Sequence, residues 1–156
     1  MGQHDVKELE PESLRSFTRH LLADLRALEL MLKHGSLESG VRRIGAEQEL
    51  FLLDRRFRPA PIAMELLARL GDEHFTTEVA RFNLEFNTDP LEFGGDCLAR
   101  MERQLNGLVV KARAAAHSLD AEIVMIGILP TIEISDLTLE NMTPKPRYFA
   151  LNEAMR

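Results

Sequence analysis

Hydrophobic and polar positions follow two rhythms along the chain. From Pro11, the residues Leu14, Phe17, Leu21, Leu25, Leu28 and Leu32 recur at steps of three and four, with Leu22 and Met31 beside them. That period is one face of an α-helix. Proline suits its first position, Glu12 favours its positive end, and His34-Gly35 is a natural stop. A stripe of this kind most often packs on its own domain; the alternative is a dimer seam. Residues 1 to 10 are polar and read as a frayed start.

The second rhythm has a period of two. Ile44 to Asp54 reads IGAEQELFLLD, with Glu47 and Glu49 on one face and Ala46, Gln48 and Leu50 on the other. Arg81 to Pro90 reads RFNLEFNTDP, setting Phe82, Leu84 and Phe86 against Asn83, Glu85 and Asn87. Both are predicted strands, the second running from about Thr76 to Asn87 and ended by Pro90.

Between and after them, Pro61 to Leu70 reads as a short helix closed by Gly71. A long helix is predicted from about Cys97 to Ser118, with Asp96 as N-cap and Leu98, Met101, Leu105, Leu108, Val109, Ala112 and Ala116 inward. The β-branched run Glu122 to Leu129 is expected to be a central strand buried on both faces. Thr131 to Lys145 is irregular and polar, and Pro146 to Arg156 begins a helix in which the sequence stops. That stop reads as the front part of a longer protein. Helices and strands in this order give an α+β or α/β chain.

Composition narrows the function. Across 156 residues, 45% hydrophobic and 28% charged content is globular. The longest apolar stretch, Ile123 to Leu129, is far short of the roughly 20 residues that span a bilayer, so no membrane partner is expected. No basic-then-apolar leader opens the sequence, and Val6 stands where a myristoylation start needs Ser or Thr. A net charge of −6 argues against nucleic acid. The single cysteine, Cys97, excludes an internal disulfide and fits a reducing cytoplasm; its place on a helical pattern reads as a buried thiol. His117, near a helix end, reads as a dipole-favoured surface residue.

Carboxylates on two neighbouring strands offer hard oxygen ligands, which suit Mg²⁺ or Mn²⁺ better than zinc. They are also what the solvated face of an ordinary antiparallel sheet presents. Spacing alone leaves both readings open. A two-carboxylate glycosidase would need sugar-stacking aromatics, and the chain has no Trp and one Tyr.

Four segments in register resemble the glutamate–cysteine ligase family, in particular its second branch, the bacterial carboxylate-amine ligases. They are IGAEQELFLLD, RFNLEFNTDP, IGILPT at Ile126 to Thr131 and LTLENMTPKPRYFALNE at Leu137 to Glu153. The resemblance covers Arg43 to Arg156. It implies residues 41–156 as the N-terminal part of a truncated catalytic domain, and leaves 1–40, read from its periodicity, as an N-terminal helical segment. The implied fold is α+β and glutamine-synthetase-like: a curved, mainly antiparallel sheet with helices behind and metal ions and ATP on its concave face.

The implied reaction joins a carboxylate to an amine at the expense of ATP, typically glutamate and cysteine to γ-glutamylcysteine, the first step of glutathione biosynthesis. By match to the family pattern, Glu47, Glu49 and Glu85 would hold Mg²⁺ or Mn²⁺, with Glu78 a fourth ligand. Seven residues separate Glu78 from Glu85, so on one regular strand they would face opposite ways unless a bulge intervened. Thr131, Arg147 and Tyr148 match substrate-side loops, with Arg147 in a catalytic role, holding the substrate carboxylate or the transferred phosphoryl group. Partners would be small molecules, with a homo-oligomer as a further expectation. Family members are much longer, so the chain is expected to hold only part of a site; the alternative is a non-catalytic binding or dimerisation module.

Overall fold

The computed structural model describes residues 11–155, with side chains from Leu14 onward; the polar start read over residues 1 to 10 lies outside them. The chain divides into two compact units, one holding Arg43–Pro144 and the other Met1–Arg42 with Lys145–Arg156.

The core of the first unit is a four-stranded antiparallel sheet in the order β3-β4-β2-β6, from β2 (Glu47–Leu53), β3 (Phe75–Thr77), β4 (Asn83–Asn87) and β6 (Glu122–Val124). Its apolar face carries Leu50, Leu52, Leu84 and Phe86, none exposed to solvent. Against it lie α2 (Ala63–Leu70), through Ala63 and Leu66, and α3 (Cys97–His117), through Leu108, Ala112 and Ala116. Ala112 and Ala116, read as inward from the sequence, lie in that core. A two-stranded ribbon of β1 (Arg43–Ile44) and β5 (Leu91–Glu92) stands apart. Lys111 of α3 reaches Asp72 at 2.7 Å, and Asp72 in turn holds His74 at 2.6 Å, fastening α3 to the approach to β3.

Helix limits follow the punctuation in the sequence. α2 ends where Gly71 takes φ of 54°. Gly35 has φ of 63°, and the Ser36 N–H reaches back to the Met31 carbonyl at 2.8 Å, a Schellman-type close to α1 (Pro11–Lys33). Asp96 occupies the N-cap position of α3, but its side chain makes no cap hydrogen bond and instead reaches Arg103 at 3.6 Å. Cys97 is buried, and its Sγ accepts from the Gly94 N–H. His117 is exposed and pairs with Glu122 at 2.9 Å.

Four sequence expectations are corrected. Leu98, read as inward on α3, is exposed. The segment from Thr76 to Asn87 is not one strand but two, with a turn over Val79 to Phe82. The run Glu122 to Leu129 forms only a three-residue strand at the sheet edge, because its hydrogen bonds go to β2 alone; Met125, Ile126 and Ile128 are exposed. The apolar stripe of α1 is exposed as well. The second unit also contains α4 (Pro146–Ala154), with proline at its start as read from the sequence.

Leu84→Ala should cost about 2–5 kcal/mol in urea unfolding, because it opens a cavity between sheet and helices. Leu98→Ala, on the exposed side of α3, should change stability by no more than about 0.5 kcal/mol.

Candidate functional site

The face of the sheet away from the helices is polar, and its register decides which polar groups meet. Antiparallel pairing sets Glu49 of β2 directly opposite Glu85 of β4, and Thr76 of β3 opposite Glu85 from the other side. Glu78 follows Thr76 by two residues and so takes the same face. The parity that separated Glu78 from Glu85 on a single strand does not apply across a turn, and no bulge is needed. Carboxylate oxygens of Glu49, Glu78 and Glu85 lie within 4.8 Å of one another. Glu47 pairs with Asn87 at the open end of β2, is exposed, and is not one of these three.

Each member has its own support. Asn87 Nδ2 donates to Glu85 Oε1 at 2.7 Å and orients that carboxylate. The turn that carries Glu78 is held by the segment Asn141 to Thr143. The Arg81 N–H donates to the Asn141 carbonyl at 2.7 Å, the Thr143 N–H donates to the Val79 carbonyl at 2.8 Å, and Thr143 Oγ1 donates to the Glu78 carbonyl. Thr143 is fully buried. Neither Asn87 nor Thr143 stood out in the sequence. The one available signal for Asn87 was its place two residues after Glu85 on the same strand face.

Three acids so close repel one another. Burial, the hydrogen bond to Glu85 and the nearby charges of Glu85 and Glu49 push the Glu78 carboxyl up to about 7, so near neutral pH a proton sits where positive charge is wanted. Three hard oxygen donors within 4.8 Å of one another are of the type that a Mg²⁺- or Mn²⁺-sized ion takes as ligands.

Thr131 lies in the loop after β6. Its hydroxyl donates to the Phe57 carbonyl, and its own carbonyl accepts from Arg58 Nη1 at 2.8 Å. Arg58 also pairs with Glu133 at 2.5 Å and Asp136 at 2.9 Å, so one guanidinium clasps the loop to the turn after β2. That turn is shaped by Asp54, whose Oδ1 accepts the N–H groups of Arg56 and Arg58; these bonds lower its pKa. Arg147 and Tyr148 lie on α4, in the other unit. Arg147 Nη2 donates to the Tyr148 hydroxyl at 2.6 Å, its guanidinium carbon lies 4.6 Å from the Tyr148 ring centre, and its Nε is buried without a partner.

A sheet with one face packed on helices and the other gathering carboxylates defines an α+β protein with an oxygen-donor site. The profile of glutamate-cysteine ligase family 2 matches residues 43–156, and the chain belongs to that family. Membership points to a carboxylate-amine ligase type of function, and the open antiparallel sheet agrees with part of a ligase fold. No curated protein and no solved structure matches the chain. Among the described residues no helix is long and apolar enough to cross a membrane.

The raised Glu78 pKa has a definite sign for stability. The unfolded chain loses this proton near the ordinary value of 4.5 and the folded chain near 7, so between the two the folded state binds more protons and stability falls as pH rises. Glu78→Gln should therefore raise the melting temperature of the metal-free chain at pH 8 and leave it unchanged at pH 4, as read by calorimetry.

Proposed function

We propose that the chain serves an ATP-dependent carboxylate-amine ligation of the glutamate–cysteine type. The observation that carries this reading is the convergence of Glu49, Glu78 and Glu85 on one sheet face of a chain that belongs to the ligase family. These three would hold Mg²⁺ or Mn²⁺, with Glu47 near the open end of the same strand as a further ligand. The cation would supply charge neutralisation between ATP phosphates and a substrate carboxylate, groups that otherwise repel.

The bond changes are those of acyl phosphate chemistry. A carboxylate oxygen, in the type case the γ-carboxylate of glutamate, attacks the terminal phosphorus of ATP, and ADP leaves. The amine then attacks the acyl carbon, phosphate leaves with the electron pair of the broken C–O bond, and the amine loses a proton. Arg147 suits the oxyanions of the first step. Its hydrogen bond and stacking with Tyr148 hold the guanidinium in one orientation, and its buried Nε keeps a donor in reserve. Thr131 acts by positioning the substrate-side loop: its hydroxyl and its carbonyl are both engaged by the turn after β2. Substrates of this class are small and anionic, in keeping with a cytoplasmic setting and with no nucleic-acid partner.

The test is a Mn²⁺ titration followed by electron paramagnetic resonance, with and without ATP. Glu49→Gln with Glu85→Gln should weaken binding at least tenfold, and wild-type affinity should fall as pH drops below about 7, where Glu78 keeps its proton. In parallel, this chain and any longer reading frame that contains it are assayed for ADP release from Mg-ATP with glutamate and a panel of amines. ADP release indifferent to every carboxylate and amine, or Mn²⁺ binding unchanged by the double substitution, would refute the reading.

A further inference from the structure

The helix α1 presents nine large apolar side chains, each between 42% and 61% exposed. Seven of them, with Thr18, lie along one side, and Met31 borders it. Written as heptads, Leu14, Leu21 and Leu28 take one seam position and Thr18, Leu25 and Leu32 the other. The seam has an internal symmetry: 14 with 32, 18 with 28 and 21 with 25 are all centred on Ala23.

We infer that α1 is an interface between two copies of this chain, paired antiparallel about a two-fold axis at Ala23. Under that axis Leu14 meets the partner's Leu32, Leu21 meets the partner's Leu25, and Thr18 meets the partner's Leu28. Such an isologous contact closes at two copies. Thr18 fits a seam because its hydroxyl is already bonded to the Leu14 carbonyl at 2.9 Å, which leaves its methyl for the contact.

The flanks agree with this orientation. On one side Arg15 falls beside the partner's Glu29, twice by symmetry, and Leu22 beside the partner's Leu22. On the other, Phe17 falls beside the partner's Met31. Asp24 meets the partner's Asp24 near the axis, the one unfavourable pair. A parallel, in-register pairing would instead set Phe17 beside the partner's Leu22 and Asp24 beside the partner's Glu29, a like-charge pair, and form no Arg15–Glu29 pair. An anionic membrane is a poorer match, because it favours a flank of uniformly basic residues and this one alternates in sign.

The area is sufficient. With roughly 190 Å² for an extended Leu, Phe or Met, the observed exposures leave roughly 700 Å² on this face, so two copies would bury roughly 1,400 Å², within the range of stable protein interfaces. The inference does not draw on the carboxylate site, and either can fail without the other.

Sedimentation equilibrium of the full chain from about 1 to about 200 μM tests it. A monomer–dimer equilibrium is expected. Leu21→Glu with Leu25→Glu should weaken it at least a hundredfold while the calorimetric transition of the first unit persists. Arg15→Glu should weaken it about three- to tenfold, and adding Glu29→Arg should restore it. Orientation is read with a short bismaleimide, Cys97 being buried. Leu22→Cys should cross-link two chains, whereas Arg15→Cys should not, since its copy would lie about 24 Å away along the axis. A monomer at every concentration, equal cross-linking at both positions, or no rescue by the charge exchange would overturn the inference. So would binding to phosphatidylserine vesicles by a chain that stays monomeric in solution.

Discussion

The structure depends on the pairing of β2 with β4, which sets Glu49 opposite Glu85. Like charges directly across a strand pair destabilise a sheet. Here the cost is offset on the other face of the same two strands, where Leu50, Leu52, Leu84 and Phe86 are sealed by α2 and α3. The two faces cannot be adjusted separately. A slip of one residue would carry the carboxylates into the core and the leucines into water. The core therefore specifies the carboxylate cluster, and the site is as firmly placed as the core itself.

The third carboxylate arrives by a different route. Glu78 sits at the end of β3, beyond the reach of the main ladder, and its backbone is held by Thr143, some sixty residues later. The loop that delivers Thr143 is itself clasped by Arg58 to the turn after β2. A chain of polar contacts, partly buried or exposed, thus runs from the turn after β2 through the late loop to Glu78, with Thr143 as its buried end. Thr143 has both its N–H and its hydroxyl bonded, and leaving either unpaired at a fully buried position would be costly. The repulsion at Glu78 is held in place by that network.

The parts legible in the sequence were those whose signal is local. Alternation at Glu47 to Leu53 and at Phe82 to Asn87 gave the two strands and their faces, and Gly35, Gly71 and Pro146 marked helix ends. The turn at Val79 to Phe82 was hidden because it contains no Gly, Pro, Asn or Asp; Val79 and Phe82 are strand formers, and the turn is imposed by the distant Asn141 to Thr143 segment. Missing that turn made Glu78 and Glu85 seem to face apart. The edge position of β6 was hidden for a related reason: a β-branched run reads as central whether or not a neighbouring strand pairs with its second edge. Thr143 is invisible without the fold, since nothing in a single Thr announces a buried carbonyl, and Asn87 showed only as a neighbour of Glu85 on one strand face.

Helix α1 shows the same limit in another form. An apolar stripe of this width is what a helix needs to face its own core and also what it needs to face a second copy, so periodicity cannot separate the two. Exposure separates them, and the order of the flanking charges then sets direction. Opposite signs at Arg15 and Glu29, fourteen residues apart along one flank, are neutral information within a single helix because they lie too far apart to interact. Across the proposed two-fold axis the same two residues would become neighbours. On that proposal, information about assembly is written at a spacing that has no meaning inside one helix, just as the spacing of Glu78 and Glu85 has no meaning until the turn brings their strands together.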